Sequence, residues 1–231
     1  MKNFTMAVAT ACLTVTAASA QVSLGVRGGY VNSNLSITSG NSQTVVPGTE
    51  AVDNWNVGLV VNIPLARNFY LQPLVNYEVK GAKLKPVTKP PAGAFSTATT
   101  KVKLQYLTLP VNAVYKIPVG TSKLAFGVGP YVAYSLNAKY NLSVYDDGKL
   151  VQDSYQPVDF SKSPNVPNSN MQLGRWDVGG NALISLEMSN YITVGANYSL
   201  GFLDIDRSDD LKIKNQSFGI SIGVLLNRED W

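Results

Sequence analysis

"NYITVGANYSLGF", residues 190–202, is two sequences interleaved. Ile192, Val194, Ala196, Tyr198, Leu200 and Phe202 occupy the even positions, and Tyr191, Thr193, Gly195, Asn197, Ser199 and Gly201 the odd ones. Successive side chains of a strand point to opposite faces, so the segment has one apolar wall and one small, polar wall. A water-soluble sandwich would bury the apolar wall and normally carry charge on the other. Here the second wall is mostly glycine, serine, threonine and asparagine, and which face is the inside becomes the question that decides the fold.

The same alternation recurs over eight segments, roughly 22–35, 53–63, 69–81, 101–117, 123–140, 172–187, 190–203 and 211–226, and helical periodicity appears nowhere after position 20. Connections alternate in length. Those at 64–68, 118–122 and 188–189 are tight turns, whereas 36–52, 82–100 and 141–171 are long, polar and rich in Pro, Ser, Thr and Asn; 204–210 is intermediate. Short turns at one end and long loops at the other, over an even number of antiparallel strands, is the pattern of an outer-membrane barrel. A sandwich has no reason to segregate its loops in this way.

Aromatic residues on the apolar faces sharpen the reading. Tyr30, Trp55, Tyr77, Tyr134, Trp176, Phe202 and Phe218 fall at the long-loop end, and Phe69, Tyr115 and Phe126 at the short-turn end. Aromatic rings prefer the membrane–water interface, so two girdles bracketing an aliphatic band imply a bilayer. The eight steps from Phe69 to Tyr77, at about 3.3 Å each and a tilt of about 40°, span roughly 20 Å, close to the height of such a band. Residues 101–115 fit worst: their alternation changes near Tyr106, where either the strand extends beyond the bilayer or Pro110 marks a bulge. The expected fold is an all-β, eight-stranded antiparallel up-and-down transmembrane β-barrel. The apolar wall faces lipid and the polar wall faces the lumen. A soluble lipocalin-like binder would need the reverse.

Composition agrees. The chain begins MKNFTMAVATACLTVTAASAQ, a lysine before a small-residue apolar stretch with Ala18-Ser19-Ala20 ahead of Gln21, as in a secretory signal. Residues 1–20 are expected to be that signal and residues 21–231 the barrel domain, placed in the bacterial outer membrane with its N-terminus periplasmic and its long loops outward. Charged residues are 15% of the sequence, low beside the roughly 25% of soluble domains. The net charge of +4 is too weak to suggest nucleic acid.

On the polar wall, Arg27, Glu78, Lys116, Asp177 and Glu187 point inward by parity. Eight strands leave an interior just wide enough for side chains to fill, so these charges need partners there. They read either as the lining of an ion path or as a salt-bridged, hydrated plug, and the small strand number favours the plug.

LQYLTLPVNAVYKIP (104–118) resembles the Tyr-Leu-x-Ile/Leu-Pro strand, and FGVGPYVAY (126–134) the Gly-Pro-Tyr strand, of the PorT-like outer-membrane β-barrel family of Bacteroidetes-type bacteria. The resemblance covers most of the chain after residue 20 and implies an OmpA/OmpX-sized barrel of the "porin family" kind. It implies fold and location, and little about activity. One departure stands at the end: Leu226 closes the lipid-facing register, and Trp231 falls on the opposite parity. Small-barrel enzymes, by the same kind of resemblance, use a histidine for proton transfer. This sequence has none, and its single cysteine, Cys12, lies in the expected signal. No catalytic residue, cofactor or metal site is expected; the four aspartates of DIDRSDD (204–210) lack the glycine and terminal glutamate of a calcium loop.

Binding is therefore sought in the loops. Residues 80–103 carry six lysines and no acid; Lys83, Lys85 and Lys89 could hold lipopolysaccharide phosphates or an acidic partner, or simply keep a loop solvated. Tyr145 and Tyr155, in a 31-residue loop at 141–171, suit a protein or glycan contact or fold back on the rim. The expected role is structural or surface-interacting; a narrow passive pore for small solutes is the alternative. Val194→Arg is expected to impair membrane assembly of the refolded protein while Asn197→Ala has a mild effect; equal tolerance of both would reverse the inside–outside assignment.

Overall fold

The alternating pattern closes into a single antiparallel sheet. In the computed structural model, which describes residues 22–39, 46, 48–85, 96–146, 149–158, 160, 173–207 and 211–227, the strands are β1 (Ser23–Ser39), β2 (Thr49–Glu50), β3 (Val52–Ala66), β4 (Phe69–Leu84), β5 (Ser96–Val119), β6 (Ser122–Asp146), β7 (Lys149–Pro157), β8 (Trp176–Glu187), β9 (Ile192–Gly201) and β10 (Leu211–Leu225). Eight of these, β1, β3, β4, β5, β6, β8, β9 and β10, pair in sequence order, and β1 pairs with both β3 and β10, so the wall has no free edge. The eight-stranded barrel is the fold expected from the sequence. The expected signal at 1–20, together with Lys89 and Trp231, lies outside the described residues.

Strand tilt follows from the register. Starting at Arg27, one walk round the wall passes Gly58, Asn76, Thr108 and Ala133 to Asp177, and the other passes Gly223 and Thr193 to Glu187. The two walks meet on β8 ten residues apart, which is the shear of the barrel. With eight strands spaced about 4.7 Å and rising about 3.3 Å per residue, that shear requires a tilt of about 40°.

Turns at the short-turn end are built on positive φ. Asn68 (φ 67°) and Gly120 (φ 60°) supply it where their residue types favour it. Tyr191 (φ 68°) is the exception; its N–H donates to the carbonyl of Met188 and its own carbonyl accepts from Leu225 N–H, which hold the turn in place. Beyond β10, Asn227 accepts from Leu24 N–H through its side chain and donates to the Val22 carbonyl, tying the two ends of the sheet together.

At the long-loop end the strands outrun the expected bounds. β5 and β6 stay paired up to Ser96–Tyr145, and β7 adds itself to β6 through Lys139–Pro157 to Asp146–Lys149. The segment read from sequence as a 31-residue loop is therefore in part a paired ribbon, because residues 141–146 and 149–157 satisfy each other's backbone groups. Parity in β5 runs unbroken from Val102 to Lys116, with even residues inward. Pro110 does not mark a bulge; the register shift lies at Gln105/Tyr106, opposite Leu136 of β6. Tyr106 looked out of phase because an apolar interior begins at its level.

That interior is a cap. Leu35, Ala82, Val102, Leu104, Tyr106, Tyr131, Ala133, Ala138, Tyr140 and Ile213, all from barrel strands, form one buried cluster with Val158, Leu173 and Ile205 from the connections. Backbone bonds pin the connections over the mouth: Gly174 N–H donates to Ile205 O (2.7 Å), Ile205 N–H to Ile213 O (2.9 Å) and Val158 N–H to Ala138 O (3.0 Å).

Candidate functional site

Below the cap the lumen is polar, and its groups fall into tiers. Nearest the short turns, Lys116 Nζ lies 2.9 and 3.0 Å from the two carboxylate oxygens of Glu187, both side chains buried, with the Tyr70 ring 4.1 Å beneath the ammonium. Gln72 donates to Asn62 (2.8 Å) in the same tier. At mid-height, Ser199 donates to Asn181 (2.9 Å), and Asn181 to Asn112 (3.0 Å), bridging three strands. Under the cap, Asp177 is fully buried and accepts from Tyr131 Oη (3.1 Å) and Asn215 Nδ2 (2.9 Å). Gly179 leaves the room this needs: a Cβ there would meet the Tyr131 ring.

Four of the five charges expected to form a lumen network do make close contacts, but not as a network of their own. Lys116 and Glu187 pair. Glu78 pairs instead with Lys80 (3.4 Å), whose ammonium also lies over the rings of Tyr131 (5.0 Å) and Tyr106 (5.9 Å). Asp177 is held by neutral donors. Arg27 has no carboxylate within 4 Å among the described residues, and its buried Nε lacks a partner. The reason is geometric. Moving along a rung also climbs the axis, so Asp177 lies about 15 Å above Arg27 and Glu187 about 9 Å below it at a tilt of about 40°. Parity placed these residues on one wall; only the shear sets which heights coincide. Lys80 lies inward by the same parity, and Tyr106, Tyr131 and Asn215 are further members of the tiers that parity alone did not pick out.

Outside, the aromatic rows form. Tyr77, Leu107, Tyr134 and Trp176 are consecutive partners across β4, β5, β6 and β8, with ring contacts Trp55–Tyr77 (5.4 Å) and Tyr134–Trp176 (4.9 Å). Phe69, Tyr115 and Phe126 make the opposite row, Phe69–Tyr115 at 4.8 Å. Tyr30, Phe202 and Phe218 are outward and exposed, and Tyr198, level with Phe218, joins the upper row. Between the rows the exposed residues include Val57, Leu59, Val75, Leu109, Val111, Val128, Val194 and Ile220, a wall that only an apolar solvent satisfies.

In the extended ends, Lys83 is exposed opposite Lys101, and Lys85 pairs with Glu50 (2.8 Å), whose carboxyl is held below its ordinary range by that lysine. Tyr155 is exposed on β7, and Tyr145 is placed in β6. Asp204 turns inward on its own loop, accepting from Asp206 N–H (3.0 Å) and Ile213 N–H (2.9 Å). Among the described residues no cluster of three His, Cys, Asp or Glu comes together to hold a metal.

Residues 17–207 match the family described as outer membrane protein beta-barrel domain. The chain belongs to this family. It is an outer-membrane protein in contact with the bilayer through its outer wall. Similar solved structures include the outer membrane protein OprG from Pseudomonas aeruginosa (12% identity, 90% of this chain and 97% of that one, TM-score 0.47), Neisserial surface protein A (12%, 87% and 96%, 0.41) and Ail, the attachment invasion locus protein of Yersinia pestis (10%, 88% and 99%, 0.36). Comparison with the curated proteins gives no match.

The Lys116–Glu187 pair yields a direct test. Lys116→Met strands a buried carboxylate and should cost about 3–5 kcal/mol in urea unfolding from detergent micelles, whereas Lys116→Met with Glu187→Leu should recover most of the loss. Equal losses in the single and double variants would mean that the pair contributes through packing alone.

Proposed function

We propose that this chain is a closed barrel whose role is structural or surface-interacting, carried by the ribbon and connections at its long-loop end. The observation that carries the reading is the apolar cap. A path for water or ions along the lumen would have to cross side chains such as Leu104, Tyr106, Ala133 and Leu173, each no more than 2% exposed, and apolar constrictions of that kind exclude water. The polar tiers below then act as a hydrated, hydrogen-bonded filling that holds the eight strands in shape. The partner of the long-loop end would be a protein or glycan, with Tyr155 (54% exposed) and Val151 (62%) on β7 as its apolar contacts. In this reading residues 1–20 are a secretory signal, the long loops are extracellular, and the likeness of residues 104–118 and 126–134 to PorT-like strands reflects a narrower kinship.

A narrow passive pore is the second reading. It is favoured by the column of polar inward side chains from Ser23 to Asp177 and by Arg27, a guanidinium without an ion-pair partner among the described residues. It requires the cap to open. Single-channel recording of the refolded chain in a planar bilayer separates the two. The closed barrel gives a silent bilayer after insertion is confirmed, and Leu104→Ser with Tyr106→Ser, which wets the cap, introduces current steps. Reproducible, salt-scaled steps from the unaltered chain would replace the closed barrel with the pore.

A further inference from the structure

Above the upper aromatic row, the outer face of the barrel carries lysines in direct opposition. Lys83 of β4 faces Lys101 of β5, and one rung nearer the bilayer Lys103 of β5 faces Lys139 of β6. All four side chains lie on the outward parity, and Lys83, Lys103 and Lys139 are exposed. Across the barrel, Lys212 and Lys214 of β10 add two more exposed lysines to the outward face, opposite Thr38 and Ser36. Like charges directly opposite on one sheet face are destabilising, and a single sheet would not stack two such pairs without compensation. Acids supply it only at longer range. Glu50 of β2 stands opposite Lys83 but ion-pairs with Lys85, Asp53 accepts from Asn32 (2.8 Å), and among the described residues none of the six lysines has a carboxylate within 4 Å. Asp53 acts on Lys83 and Lys101 only at longer range.

Height decides what the missing anion is. Lys103 lies four residues above Leu107, the β5 member of the aromatic row, and Lys214 four above Phe218. At about 3.3 Å per residue and a tilt of about 40°, that is about 10 Å beyond the ring level, within the polar headgroup layer that flanks the hydrocarbon core. Lys83, Lys101 and Lys212 stand about 5 Å higher by the same geometry. Long cationic side chains at this depth reach toward headgroup phosphates.

We propose that this lysine collar binds phosphorylated headgroups of the leaflet on the long-loop side, with Lys103 and Lys139 sharing one phosphate between opposed ammonium groups. The site lies on the outer wall, so it is independent of whether the lumen conducts. Its ligand class is a lipid phosphate held by charge, in a layer the barrel must occupy anyway.

The test uses the full refolded chain in neutral phosphatidylcholine bicelles, titrated with diphosphorylated lipid A and, separately, with the same lipid stripped of its phosphates. The collar predicts saturable binding of the phosphorylated lipid only, weakened about tenfold by Lys103→Gln with Lys139→Gln and unchanged by Lys149→Gln on β7. The double variant removes a repulsion, so its unfolding midpoint in neutral lipid should hold or rise; should it fail to fold, Lys214→Gln reads the opposite side of the collar, with a smaller loss expected. Equal binding of the dephosphorylated lipid, or no loss in either variant, overturns the proposal. Competition by inorganic pyrophosphate at the concentration of the lipid would make the ligand a free phosphate and overturn the lipid assignment.

Discussion

Backbone hydrogen bonding in a solvent that offers none is the constraint on which the rest of this molecule depends. A strand that crosses hydrocarbon must pair on both edges, and only a closed sheet does that for every strand. Closure around eight strands with a shear of ten then fixes the tilt, the width of the lumen and the relative heights of all inward side chains. Prolines test the rule. Pro73, Pro110 and Pro130 stand within the wall, and the ladders between β4, β5 and β6 lapse next to them while the register is kept on either side. The wall tolerates the lost donors because the flanking rungs hold.

The inward face is one continuous strand parity but two different interiors. Through the bilayer it carries asparagine, glutamine, serine and buried ion pairs; above the upper aromatic row it carries leucine, valine, alanine and tyrosine. The boundary falls at Tyr106 and Tyr131, amphipathic side chains that belong to the apolar cluster by their rings and to the polar tier by their hydroxyls, reaching Asn215 and Asp177. The outer face changes in the opposite sense at a similar height, from aliphatic and aromatic to lysine. β1, β4, β5, β6 and β10 therefore turn inside out in polarity as they leave the membrane, because their outer solvent changes from lipid to water while their inner neighbours change from polar filling to packed connections.

The polarity switch explains what could be read from the sequence. Strand parity, the inside of residues 190–202 and the two aromatic rows were legible because a period of two is imposed by the pleat and the lipid sorts the faces. The extension of β5 and β6 was not, since Val102, Leu104 and Tyr106 continue the alternation with the apolar side inward, the reverse of the rule that applies a few residues on. Partners of Asp177, and the lack of a carboxylate beside Arg27, were out of reach for another reason: contact across a barrel depends on shear, and shear is a sum of registers that no single strand encodes. Three of the four opposed lysines, Lys83, Lys101 and Lys103, sat in plain view within residues 80–103, but a run of charge reads as a solvated loop until pairing places Lys103 against Lys139.

The central claim is that one face of the strands meets lipid while the other meets polar filling and then a dry cap, and β5 is where all three can be read. Single cysteines placed along residues 102–117 in the refolded chain, with Cys12 replaced, and each carrying a spin label would report collisions with oxygen and with a water-soluble nickel chelate. A period of two in oxygen accessibility through Leu107, Leu109, Val111, Ala113 and Tyr115, with Val102, Leu104 and Tyr106 shielded from both reagents, is the predicted profile. Ready access of the nickel chelate to Leu104 and Tyr106 would contradict it, for the mouth would then be open to water.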